Sequence, residues 1–216
     1  MATGRAYQGP RQGADRAVLL AHGAGGDRHT PALRVVADAL AGAGIPSLRF
    51  DYPYRAAGRR APDRPAVLAQ ATRDAAAALA RRCGLPPDRI VVGGRSMGGR
   101  VCSLLVADPT EPLPALGLVL LAYPLHPAGR PDRRRVEHFA RIRVPCLFVS
   151  GTRDALGAPE SLRAGVRSIP APTRIEWLEA ADHGFRPLRT AGLGPTEVLD
   201  RVAETVVTWV QGLPAP

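Results

Sequence analysis

Short, mostly apolar runs at residues 17–21, 45–50, 90–93, 116–122 and 144–150 alternate with stretches of helical period. The apolar positions of the helical stretches fall on one stripe each. Leu33, Val36, Ala37 and Leu40 mark a helix over 31–40, and Val67, Leu68, Ala71, Ala75, Ala78 and Leu79 mark one over 67–82. A third follows at about 97–108, a short one at 159–166 and a closing amphipathic one at 196–210, with a further strand at 174–178. Strands that are apolar throughout, separated by helices, bury both faces of a parallel sheet. The pattern predicts an α/β fold: a doubly wound, mostly parallel sheet of about six or seven strands. Residues 1–16 read as a polar N-terminal segment and 17–216 as a single domain.

One junction carries more than fold. Gly94-Arg95-Ser96-Met97-Gly98 stands between the 90–93 strand and a helix bearing Val101, Leu104 and Leu105. A sharp strand-to-helix turn strains the central residue and brings neighbouring chain very close, so the positions two before and two after must be small. Gly94 and Gly98 meet that demand. The turn lifts the Ser96 hydroxyl clear of the sheet and points the Met97 amide, at a helix N-terminus, to where an oxyanion would form.

In a parallel sheet, groups that act on a ligand lie just past the carboxyl ends of the strands. Asp154 follows the strand over 144–150, and His183 follows the one over 174–178. A serine hydroxyl needs a base to become a nucleophile, and the base needs a carboxylate to fix its tautomer. The order Ser96, Asp154, His183 supplies all three groups. Asp182 is a rival acid, disfavoured because it adjoins His183 in the chain. His22-Gly23-Ala24-Gly25-Gly26 follows the first clear strand but lacks the Lys-Ser/Thr of a phosphate loop. It reads as the second half of an oxyanion hole, with the Ala24 amide opposite that of Met97. His22 and Gly23 are supporting residues, His22 bracing the loop.

These segments together resemble the α/β-hydrolase superfamily, on its dienelactone-hydrolase-like side. Phe50-Asp51-Tyr52-Pro53-Tyr54, Gly93 to Arg100 around the elbow, and Tyr123-Pro124-Leu125-His126-Pro127 look closer still to small bacterial hydrolases related to a subunit of the NSL histone-acetyltransferase complex. The resemblance implies a Ser-Asp-His hydrolase. Dienelactone hydrolases carry cysteine as nucleophile, so Ser96 departs from that reaction. Only about twenty residues separate 122 from 144, too few for a helical cap domain, so the site should be shallow and open. The antiparallel strands that open a full-length hydrolase should be short or absent.

The reading is a serine hydrolase cleaving a carboxylic ester with a small or short acyl group. It needs no cofactor and no metal. The alternatives are a non-catalytic scaffold of the same fold, or a thioesterase or peptidase using the same three groups. The expected partner is a small-molecule ester, and the protein a monomer or homodimer. The formal charge of +10 comes from 29 basic residues, every one arginine, scattered through a chain rich in Ala, Gly and Pro. That is GC-rich coding more than a nucleic-acid footprint, which would cluster charge and interleave aromatics. Two arginine-rich loops, one with Arg55, Arg59, Arg60 and Arg64 and one with Arg130, Arg133, Arg134 and Arg135, would instead favour anionic substrates if they rim the site. No apolar run approaches a membrane span, the N-terminus has no signal-peptide core, and the three cysteines, Cys83, Cys102 and Cys146, lack metal spacing. Cytoplasmic location is expected.

Overall fold

The computed structural model describes residues 4–214. Its centre is one seven-stranded sheet in the order β1-β3-β2-β4-β5-β6-β7. The strands are β1 (Arg5–Gln8), β2 (Ala17–Ala21), β3 (Ser47–Phe50), β4 (Ile90–Arg95), β5 (Gly117–Leu121), β6 (Cys146–Gly151) and β7 (Thr173–Leu178). All neighbours are parallel except β1, which runs antiparallel to β3. The helices are α1 (Pro31–Gly42), the single turn α2 (Pro53–Ala56), α3 (Pro65–Cys83), α4 (Met97–Val106), α5 (Pro159–Val166) and α6 (Pro195–Gln211).

Successive side chains of a strand point to opposite faces, and here each face has its own core. Leu19, Val92, Leu118, Leu120 and Phe148 join the cluster under α3, α4 and α5. Val18, Leu20, Val91, Val119, Leu121 and Val149 join the one under α1 and α6. Because both faces are covered, the central strands read as continuous apolar runs. Between β5 and β6 the only regular structure is the 3₁₀ turn Phe139–Arg141, so no cap domain covers the sheet. No helix among the described residues is long and apolar enough to cross a membrane.

Strand edges shift where proline intervenes. The runs at 45–50 and 144–150 enter the ladder only at Ser47 and Cys146, because Pro46 and Pro145 have no N–H to donate. Both still accept: Val18 N–H bonds the Pro46 carbonyl and Leu118 N–H that of Pro145, each at 2.9 Å. The polar segment 1–16 contributes an edge strand, β1, the one short antiparallel strand among the described residues. Its sequence, Arg-Ala-Tyr-Gln, has no apolar run because one edge meets solvent, and only Tyr7 packs on the core.

The chain order fixes where a ligand can sit. From β2 the path moves outward to β3, then returns past β2 to β4 and continues the other way. The loops leaving β2 and β4 therefore diverge to opposite faces and open a crevice between them. Arg16, 6 % exposed, ties the start of β2 to the far end of α6, its guanidinium donating to the Val210 and Leu213 carbonyls at 2.7 and 3.0 Å. Arg16→Ala removes both bonds, and only the Val210 carbonyl keeps a backbone partner, the Leu213 N–H at 3.3 Å. Urea denaturation should show a loss of about 2 kcal/mol, the scale of hydrogen bonds from a charged donor; an unchanged midpoint would count against this tie.

Candidate active site

At the end of β4, Ser96 takes φ 51° and ψ −115°, a strained backbone for a residue with a side chain. Its N–H donates to the Leu121 carbonyl at 2.8 Å, which holds the turn against β5. The tight packing explains the flanking glycines. A Cβ on Gly94 would lie 2.0 Å from the Ala21 carbonyl oxygen, and one on Gly98 would lie 2.4 Å from the same atom. At either position a side chain would force the neighbouring backbone to shift.

Asp154 and His183 come from the next two loops. The Ala180 N–H donates to Thr152 Oγ1 at 2.8 Å and the Arg153 N–H to the Ala181 carbonyl at 3.0 Å, so the loops after β6 and β7 are laced together. The Asp154 carboxylate is buried and accepts the Leu156 N–H at 2.8 Å. It also accepts His183 Nδ1–H, at 3.0 Å to Oδ1 and 2.8 Å to Oδ2. With the proton on Nδ1, Nε2 is left to accept the Ser96 hydroxyl, 2.9 Å away. Three groups that the sequence places after three different strands thus form one hydrogen-bonded chain. Asp182 stands outside it. Its carboxylate accepts the N–H groups of Gly184 and Arg186 and pairs with the Arg186 guanidinium, closing its own turn.

His22 is fully buried. Its Nε2 faces the Tyr52 N–H at 3.1 Å, a group that can only donate, so Nε2 is unprotonated and Nδ1 donates to the Gly23 carbonyl at 2.7 Å. Burial lowers its pKa and keeps the ring neutral. The ring packs edge-on against Tyr52 and Tyr54, and the Tyr54 hydroxyl donates to the Ala24 carbonyl at 2.7 Å. His22 therefore braces the loop, as its place at a strand end suggested. The Ala24 and Met97 N–H groups have no acceptor among the described residues.

Two contributions were not legible beforehand. Tyr54 fixes the Ala24 peptide. Arg95, inside the glycine pentapeptide, turns its guanidinium to the His183 carbonyl at 2.7 Å, so the elbow holds the histidine loop directly. Burial lowers the Arg95 pKa, while the nearby carboxylates of Asp154 and Asp182 favour its charge. The only sequence signal was a long cation at a position where any side chain would fit. A groove of about 760 Å³ runs from Gly25 past Arg95 to Gly184 and Leu199. Among the described residues no group of three His, Cys, Asp or Glu side chains is arranged to hold a metal ion.

A doubly wound sheet with a strained serine at the switch point and a His–Asp pair beside it defines an α/β hydrolase. The chain belongs to that superfamily: residues 14–211 match the family model described as an alpha/beta hydrolase domain. A Mycobacterium tuberculosis protein provisionally named a phosphoribosyl transferase is 27 % identical over 194 residues. That match covers 89 % of this chain and 40 % of the relative, so the chain spans well under half of that protein's length. Among solved structures, a dienelactone hydrolase from Anabaena variabilis superposes with a TM-score of 0.70 at 22 % identity, covering 97 % of this chain and 91 % of that one. A thermophilic esterase from Thermogutta terrifontis gives 0.67 at 20 % identity, covering 98 % and 90 %.

Adding one methyl group at the elbow tests the packing. Gly98→Ala should cost about 1–3 kcal/mol on denaturation, the usual scale of overpacking. Gly42→Ala, at the end of α1 with nothing within 4 Å of its Cβ, should be neutral or slightly stabilising. Equal effects at the two sites would contradict the close approach of Ala21.

Proposed function

We propose that the protein is a serine hydrolase cleaving carboxylic esters, a carboxylesterase in type. The observation that carries this is the Ser96–His183–Asp154 chain, with links of 2.9 and 2.8 Å. Ser96 Oγ attacks the ester carbonyl while His183 Nε2 takes its proton. Asp154 holds the imidazole in the required tautomer and stabilises the imidazolium that forms. The N–H groups of Ala24 and Met97, unpaired within the described chain, receive the negative charge of the tetrahedral intermediate. His183 then returns the proton to the leaving alcohol. Water, activated by the same imidazole, attacks the acyl group and frees Ser96. No step calls for a cofactor or a metal.

The solved neighbours named as an esterase and a dienelactone hydrolase agree with an ester substrate. The Ser–His–Asp arrangement suits acyl transfer rather than the phosphoribosyl transfer named for the longer mycobacterial protein. Kinship with the small bacterial hydrolases related to an NSL subunit belongs to this proposal, as does a cytoplasmic setting, which the free thiols of Cys83, Cys102 and Cys146 suit. With no cap, long acyl chains find little surface to cover them, so short chains are preferred.

Ser96→Ala, His183→Ala and Asp154→Asn should each lower turnover of 4-nitrophenyl acetate by roughly 10³-fold or more, and the losses should not add, because the groups act as a unit. A fluorophosphonate should modify Ser96 alone. Near-normal turnover in Ser96→Ala would end this reading, and an unlabelled wild type would favour the scaffold alternative.

Chain length gives a separate check. kcat/KM should fall from acetyl to palmitoyl 4-nitrophenyl esters; a steady rise along that series would overturn the open-site argument.

A further inference from the structure

The structure sorts the arginines near the carboxyl rim. Arg55 pairs with Asp27, Arg59 with Asp63 and Arg130 with Asp132, so much of the rim's charge is neutralised locally. Arg133 is exposed, and Arg134 reaches out to the Ser161 carbonyl. Arg100 and Arg135 differ from all of these. Both are half-buried, and neither guanidinium forms an ion pair among the described residues. The Nε of Arg100 is buried without a hydrogen-bond acceptor.

The backbone of each is tied to segments that flank the site. Arg100 lies one helical turn past Ser96 and its N–H donates to the Ser96 carbonyl at 3.0 Å. Four residues of α-helix rise about 6 Å, and helical side chains lean towards the N-terminus, here towards Ser96. Arg135 is pinned beside the segment leaving β5: its N–H donates to the Leu125 carbonyl at 2.8 Å and its carbonyl accepts the Tyr123 hydroxyl at 2.9 Å. Tyr123 packs in the core on the α4 side of the sheet. Its carbonyl also lies 3.0 Å from where a Cβ on Gly157 would sit, next to the Asp154 loop.

Like charges in a partly desolvated setting repel each other. Burial lowers the Arg135 pKa, and the Arg100 charge lowers it further. His138, bonded through Nε2 to Ser103 Oγ at 2.8 Å, feels the same field. Burial, then the charges of Arg100 and Arg141, push it down to about 4. Glu137, whose charge acts on His138, is exposed and pairs with neither guanidinium among the described residues.

We infer that Arg100 and Arg135 form a subsite for the free carboxylate of an acidic ester, a half-ester of a short dicarboxylic acid whose acyl carbonyl sits at Ser96. This rests on the esterase reading above and narrows its substrate class. The planar guanidinium fork suits a carboxylate better than a lysine would.

The test compares mono-4-nitrophenyl adipate with 4-nitrophenyl hexanoate, which has the same chain length and no charge. In the wild type kcat/KM should favour the adipate ester by tenfold or more, the scale of one charge-assisted hydrogen bond. Arg100→Gln and Arg135→Gln should each lower that ratio about tenfold, and Arg100→Lys should restore part of it. The Arg133→Gln ratio should match wild type. A ratio near one in the wild type, or one that survives both glutamine variants, overturns the inference. Calorimetry of monomethyl adipate on Ser96→Ala separates the two proposals. If no ester is cleaved yet binding occurs and is lost in Ser96→Ala/Arg100→Gln, the esterase reading fails and the carboxylate subsite stands; if nothing binds, the subsite fails as well.

Discussion

The backbone of Ala21 at the end of β2 presses directly on the turn from β4 into α4. Its carbonyl oxygen leaves no room for a Cβ at Gly94 or Gly98. That contact sets the height of Ser96 above the sheet and forces its left-handed φ of 51°. It also brings the loop after β2 against the elbow, so that Gly23 lies beside Ser96. Strain of this kind survives only where the surroundings over-determine it. Here β2, β5 and α4 all do so: Leu121 takes the Ser96 N–H, and Ser96 in turn accepts the N–H of Arg100.

Around this fixed point the remaining groups are positioned by hydrogen bonds between loops. Ala122 and Ala180 also have positive φ, at 49° and 56°, and they too follow strands, β5 and β7. The unusual backbone thus gathers at the carboxyl rim of the sheet. His22 shows how the rim is kept rigid. As a buried neutral ring it joins the Tyr52 backbone to the Gly23 carbonyl, so the loops leaving β2 and β3 are tied together.

Much of this was legible in the sequence because burial on both faces writes a parallel sheet as plain apolar runs. The helix over 159–166 matches α5 end for end, and the glycines of the pentapeptide announced the close approach that the structure contains. The reading of Ser96, Asp154 and His183 as a group rested on their places after strands, and the structure joins them by hydrogen bonds. What escaped notice depended on side chains reaching across the fold. β1 is polar because it lies at an edge, so it carries no periodic signal. Arg95 looked like one arginine among many, and only the arrangement of β4 against β7 gives it the His183 carbonyl. Tyr54 likewise needed α2 to turn it towards Ala24.

Ser96 and His183 are 87 positions apart in the chain. Contacts of such separation are slow to form, since a long loop must close before they contribute. A chain emerging from the ribosome displays Ser96 long before residue 183 exists, and domains fold as their parts become available. Until β7 joins the edge of the sheet, the Ser96 hydroxyl has no imidazole beside it. The hydrogen-bonded chain of Ser96, His183 and Asp154 is thus absent from the nascent polypeptide and forms only when β7 is in place.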